Sequence, residues 1–340
     1  MQVRIHKDIF NDSSNNDVLN DILAFFRQDR HHLILDDFDD IEAFKNSTWA
    51  QNELNSRDLK LINEFIVAST RREKEKLLIS LSNENNKDFF SPREAYLYLN
   101  QPLIVLVENV EYEPPFINAI IRNFDNTGEL GNAKKQIWWE FGMAAGSSAE
   151  QVINGKIENS LSNDEFVKPK ENYLRYFVIL DSDKKYESDI VSEGRYKFMN
   201  EKKILFHILY KREKENYMPD NILTGLESDY FNNYLNLEAG QKDFFDLEKG
   251  FNKNKSDKDW KTEIRDFFSI DEIPDSTFKI LKNGSDLEIY KKGEKFKREF
   301  SKLFNYADKD NMLTRISHQP KFENGKNEYE HIVEMIKSLL

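Results

Sequence analysis

The chain has no cysteine in its 340 residues. That absence excludes disulfides, a thiol nucleophile and every cysteine-ligated zinc or iron–sulfur centre. Long hydrophobic runs are missing as well: no apolar stretch approaches the roughly 20 residues that a membrane-spanning helix requires. The opening segment Met1-Gln-Val-Arg-Ile-His-Lys7 lacks the apolar core of a secretory signal. A soluble, cytoplasmic protein without membrane contact is therefore expected. The six histidines show no His-Glu-x-x-His and no other metal-ligand spacing, which speaks against zinc. No Gly-x-x-x-x-Gly-Lys-Ser/Thr loop occurs, so an ATPase of the P-loop kind would have to be borrowed from a partner.

Acid is what the chain has in excess. Its 61 Asp and Glu outnumber its 49 Lys and Arg, for a formal net charge of −12. Nucleic-acid binding through a broad basic surface is disfavoured, because phosphate contacts need Lys and Arg. A local basic groove stays compatible, and carboxylates neutralised by a divalent metal would make the count overstate the repulsion. The 39% hydrophobic fraction is enough to fill a sizeable core in two or three domains.

The acid is patterned. Tyr176-Phe-Val-Ile-Leu-Asp181-Ser-Asp183 is a short apolar run ending in two carboxylates one residue apart, and Leu103-Ile-Val-Leu-Val-Glu108 is a second run ending in acid. Such runs, too short for helices, read as strands buried on both faces. A third strand, Ile204-Leu-Phe-His-Ile-Leu209, leads into Lys211-Arg-Glu213-Lys-Glu215-Asn-Tyr217. Between the strands lie helical segments, at Phe116 to Arg122 and from about Ile190 to Met199. The alternation predicts parallel strands with right-handed crossovers. In such sheets ligands bind at the carboxyl edge, where all three acidic strand ends would meet. A helix after the third strand would aim Glu213 or Glu215 at that site, but not both, since residues two apart do not share a helix face. His207, inside an apolar strand, reads as a satisfied core histidine.

The expected organisation is a mainly helical region over 1–99, an α/β domain with a mostly parallel sheet over 100–225, and a helical, charged region over 226–340. Ser91-Pro-Arg-Glu94 reads as a capped helix start. A rival acidic cluster, Asp36-Asp37-Phe38-Asp39-Asp40, follows His32-Leu-Ile-Leu35. Its plainer reading is the start of a helix, where Asp satisfies free backbone amides. Residues Gly142 to Ser148 offer Gly and Ser amides at a helix start, suited either to phosphate binding or to a tight turn.

In order and spacing, these motifs resemble the Toprim domain of topoisomerases, primases and OLD-family nucleases. His207-Ile-Leu-Tyr-Lys-Arg-Glu-Lys-Glu-Asn-Tyr217 is similar to the stretch after the third strand in OLD-type and stand-alone Toprim proteins of bacterial defence systems. The resemblance covers roughly residues 100 to 220. It implies that Glu108, Asp181, Asp183 and Glu215, with Glu213 as the substitute for Glu215, bind one or two Mg²⁺ or Mn²⁺ ions, oxygen ligands being suited to hard cations. Lys211, Lys184 or Lys185 would stabilise charge on the phosphate. The chain departs from the family after the first glutamate: Asn109 replaces the usual Gly, and Tyr112 stands where another acid is frequent, leaving Glu113 as the candidate from that loop.

The resemblance implies a metal-dependent endonuclease acting on DNA or on a structured RNA such as tRNA, as the effector of an anti-phage system with a possible partner ATPase. The alternative is a catalytically degenerate Toprim-like interaction or sensor subunit that docks such an ATPase. A phosphatase on a generic α/β sheet fits less well, because a glutamate strand precedes the aspartate pair.

Overall fold

Branched apolar runs set the frame. The computed structural model describes residues 1–69, 77–84, 87–144, 149–160, 168–251, 274–282, 284–290, 294–322 and 325–340. Among these, seven strands form two sheets, and every pairing is parallel. The smaller sheet holds β1 (Gln2–Ile5), β2 (His32–Ile34) and β3 (Leu78–Leu81) in the order β2-β1-β3. The larger holds β4 (Leu103–Val107), β5 (Trp139–Met143), β6 (Tyr176–Leu180) and β7 (Leu205–Ile208) in the order β5-β4-β6-β7. The protein is thus α/β, with parallel sheets flanked by helices, as expected.

Alternation along the strands divides the core of the larger sheet in two. Leu103, Val105, Val107, Phe177 and Ile179 face one side, where they pack with Phe116, Ile117 and Ile120 of the helix Pro114–Phe124. Leu106, Val178 and Leu180 face the other and pack with Ile153 of the helix Ala149–Ser160 and Phe198 of the helix Glu193–Glu201. Each such side chain, taken fully from water, contributes about 1.5–3 kcal/mol. The region beyond residue 225 joins the first of these cores. Ile332, Val333 and Ile336 of the helix Glu328–Leu339 are buried in it.

The smaller sheet is an addition to the mainly helical reading of residues 1–99. Its strands span only four, three and four residues, too few for a period to declare itself. The helices Asn16–Arg27, Phe38–Asn46, Ser56–Ser69 and Pro92–Asn100 surround it. Ser91 and Glu94 form the expected capping box on the last of these. Leu77, just before β3, donates its N–H to the Ser338 carbonyl at 3.0 Å, and Arg175 donates to the Leu339 carbonyl at 2.6 Å, so the closing helix ties the two sheets together. Among the described residues no helix is long and apolar enough to cross a membrane.

Candidate functional site

Register decides which strand ends meet. Leu106 pairs with Val178, and Val178 with Phe206, so Glu108, Asp181 and the segment after β7 emerge side by side at one carboxyl edge. After β4 the chain turns back on itself. Glu113 accepts the N–H groups of Glu108 and Asn109, at 3.0 and 3.2 Å, and Asn109 Oδ1 accepts the N–H of Glu111 at 2.7 Å. Burial raises the Glu113 carboxyl to about 7; Lys214 works against that rise, while Glu108 and Glu215 add to it. Tyr112 is buried, and Glu113 is the carboxylate of this loop that is buried beside it.

After β6, Asp181 is buried and Asp183 exposed. The Ser182 hydroxyl donates to the Lys211 carbonyl at 2.7 Å, and the Asp183 N–H to the Arg212 carbonyl at 3.0 Å, which holds this loop against the one after β7. Asp183 has φ of 51°, the left-handed region that a short polar side chain tolerates. Burial pushes the Asp181 carboxyl well above the usual range; Lys214 opposes this, and the charges of Glu113, Glu215 and Glu213 reinforce it.

The segment after β7 is a 3₁₀ turn, Lys214–Tyr217, and not the helix expected there. This removes the expected choice between Glu213 and Glu215. Glu213 is the extended residue preceding the turn, with φ of −141° and ψ of 162°, so both acids lie in the charge environment of Asp181. Burial raises the Glu213 carboxyl, and Glu215 adds to the rise. The Asn216-Tyr217 pair anchors the turn. The Asn216 amide donates to the Lys242 and Phe245 carbonyls at 2.8 and 2.9 Å, and the Tyr217 hydroxyl donates to Glu328 at 2.6 Å while accepting the Lys211 N–H. Glu328 also lies 2.8 Å from His207 Nε2, so His207 is a satisfied core residue, as expected.

Lys214 is the residue that the sequence reading missed. It is 2% exposed, with Nζ at 3.2 Å from Glu215 Oε1 and 3.8 Å from Glu113 Oε1, and its N–H donates to Asp181 at 3.2 Å. Burial opposes its charge, but Glu215, Glu113, Asp181 and Glu213 together outweigh that effect and hold the ammonium above the ordinary lysine range. Half-buried Lys297, on the helix Glu294–Ser301, is raised by Glu215, Glu213 and Glu108 against its own burial and the charge of Lys214. The only signal in the sequence was a lysine alternating with acids, a pattern shared by any solvated face.

Lys211, expected to stabilise the phosphate, is turned away from the site. It is fully buried, with Nζ 2.8 Å from Asp243 and donating to the Arg315 carbonyl, and burial holds its ammonium well below the lysine range. A lysine buried and paired in this way cannot reach a phosphate at the sheet edge. Lys184 lies over the rings of Tyr210 and Phe244, 5.8 and 5.3 Å from their centroids, and the N–H of Lys185 bonds to Asp189. Gly142 sits inside β5, where a Cβ would come within 2.6 Å of Ile104 and 2.7 Å of Leu106, so close strand packing accounts for it. Residues 145–148 of the proposed phosphate loop lie outside the described residues.

The donor set is oxygen alone, suited to Mg²⁺ or Mn²⁺. Among the described residues, no three Asp, Glu or His side chains are already grouped as metal ligands; the Lys214 ammonium stands among them. Yet the charge is incompletely answered. Glu108, Glu113, Asp181, Glu213 and Glu215 face Lys214 and Lys297, while Arg212, 3.3 Å from Glu213, is shared with Asp246 at 3.0 Å. Both Glu215 oxygens are buried without a hydrogen-bond partner, the 3.2 Å approach of Lys214 being an ion pair at an angle that makes no hydrogen bond. A buried carboxylate in that condition is costly unless a cation completes it. A hard divalent ion would supply the charge that the Glu215 carboxylate lacks, with Asp181 and Glu108 as further oxygen donors. Compared with known proteins, the chain matches no family model, no curated protein and no solved structure.

Proposed function

We propose that this protein is a metal-dependent phosphodiesterase of the Toprim type, a nuclease acting on DNA or structured RNA. The observation that carries the reading is the Glu215 carboxylate, buried without a hydrogen-bond partner beside Asp181 at the carboxyl edge of a parallel sheet. Asp181, Glu215 and Glu108 would hold the cation. Bound there, Mg²⁺ or Mn²⁺ would supply Lewis-acid chemistry for hydrolysis of a phosphodiester, in which water adds to phosphorus and one ester oxygen leaves as a hydroxyl. Glu113 orients the Glu108 loop through the two backbone N–H groups it accepts. Asn216 and Tyr217 hold the turn that delivers Glu215. Lys297, which shares the charge environment of Glu215, Glu213 and Glu108, would meet an incoming phosphate. A role in anti-phage defence and a partner ATPase rest on the Toprim resemblance alone.

Cleavage of DNA and RNA substrates in Mg²⁺ or Mn²⁺ tests this. Activity in the wild type that falls in Glu108→Gln and Asp181→Asn is the expected result, and equal activity in all three overturns the assignment. A second reading, a catalytically silent docking subunit, is favoured by one observation: the Lys214 ammonium already inserted among the acids. It requires that no saturable Mn²⁺ binding depend on Asp181.

A further inference from the structure

At the carboxyl edge, the loop after β4 and the turn after β7 are already joined by a fixed positive charge. Glu113, the one acid from the loop that reaches inward, has an oxygen on each of two backbone N–H groups, those of Glu108 and Asn109. What joins it to Glu215 is Lys214 Nζ, 3.8 Å from one carboxylate and 3.2 Å from the other. Lys214 is locked in place, because its own N–H bonds to Asp181 and its side chain is 2% exposed. A buried ammonium between two carboxylates supplies the positive charge that a metal ion would bring, without a ligand sphere to exchange. Neither Glu215 oxygen accepts a hydrogen bond, so that carboxylate still has coordination to offer beside the ammonium.

We infer that the site takes a single divalent cation, and that the Lys214 ammonium is its built-in second cation, bridging Glu113 and Glu215. This rests on the metal-dependent reading above. Substrate phosphate would then meet one exchangeable ion and one fixed charge. Lys214 would serve as a permanent counter-ion, and the affinity of the metal would depend on its presence.

Calorimetric titration of the full chain with Mn²⁺, checked by native mass spectrometry, tests the inference. One equivalent in the wild type, lost in Asp181→Asn, and two equivalents in Lys214→Gln are expected. Two equivalents in the wild type, or one in a folded Lys214→Gln, overturn the inference and leave the metal-dependent reading standing. No Asp181-dependent binding in the wild type overturns both. Should Lys214→Gln fail to fold in chelator, the ion is expected to replace the missing ammonium, so that added Mn²⁺ restores a cooperative melting transition. A variant that stays unfolded in Mn²⁺ overturns the inference. Lys214→Arg, which keeps the charge, is expected to remain at one equivalent, and two would count against it.

Discussion

Two parallel sheets in this molecule end in acid at their carboxyl edges, and the two edges differ in how far their own groups answer it. At the smaller sheet, Asp36 takes two bonds from Arg4 at 2.8 and 2.9 Å, Asp39 pairs with Lys7 at 2.8 Å, and Asp40 accepts the Lys7 N–H at 2.7 Å. Asp37 caps the helix Phe38–Asn46. The Arg4–Asp36 pair is partly and the Lys7–Asp39 pair largely exposed, and Asp36, Asp37, Asp39 and Asp40, which line the cavity of about 600 Å³ beside them, each already have a partner. At the larger sheet Glu113, Asp181 and Glu215 are buried, neighbouring acids raise the proton affinity of Glu113 and Asp181, and the Glu215 carboxylate has no hydrogen bond. Acid at a strand end is therefore no site by itself. What distinguishes a candidate centre is burial beyond the capacity of its own cations.

The largest expected effect is on stability. Lys214→Gln, which leaves buried carboxylates uncompensated, is expected to cost about 3–5 kcal/mol, whereas Arg4→Gln at the exposed edge is expected to cost about 1 kcal/mol or less; denaturant titration measures both. Equal losses would erase the contrast between the edges.

That loss is expected to depend on pH. The folded-state pKa of Glu113, about 7, lies above its ordinary 4.5. Its favourable contribution is therefore complete below about 4.5 and lost as pH rises through about 7. Asp181 is raised in the same direction. Lys214 is raised too, so its contribution is complete throughout this range and lost only in strong alkali. Protonated acids need no counter-ion, so the penalty of Lys214→Gln is expected to be smaller near pH 5 than near pH 8, as melting temperatures at the two values would show. A penalty independent of pH would mean that the acids do not share the ammonium.

The effect on activity comes next. Glu215→Gln is expected to lower Mn²⁺-dependent cleavage by roughly 100-fold, the scale of a damaged metal environment, while Asp36→Asn leaves it unchanged in the same assay. The smallest effect belongs to Lys7→Ala, for which no resolvable shift in melting temperature is expected, its pair with Asp39 being exposed on both sides.

How much of this was legible in the sequence follows the range of the interactions involved. β4 and β6 and the Ser91 cap are local patterns, and each was readable: branched apolar runs of five residues, and a Ser with Glu three residues on. β1 to β3 were not, being too short to carry a period. Asp181, Glu108 and Glu215 were legible as strand-end acids. The joint placement of Glu213 and Glu215 was not, because it depends on a 3₁₀ turn held by Asn216 bonding to carbonyls 26 and 29 residues away. The assignment of the lysines inverted for the same reason. Lys211 is paired with Asp243 and the Arg315 carbonyl, partners from distant segments that no spacing near residue 211 announces.

By itself, then, the sequence determined three of the four strands of the larger sheet, β4, β6 and β7, the order of their acidic ends and the absence of any thiol, because each is a property of residue type and short spacing. Tertiary structure decided which of those acids are buried together, which lysine answers them and which is turned into the core. Those outcomes depend on parallel register and on contacts across tens to hundreds of residues, where the cost of burying charge is settled.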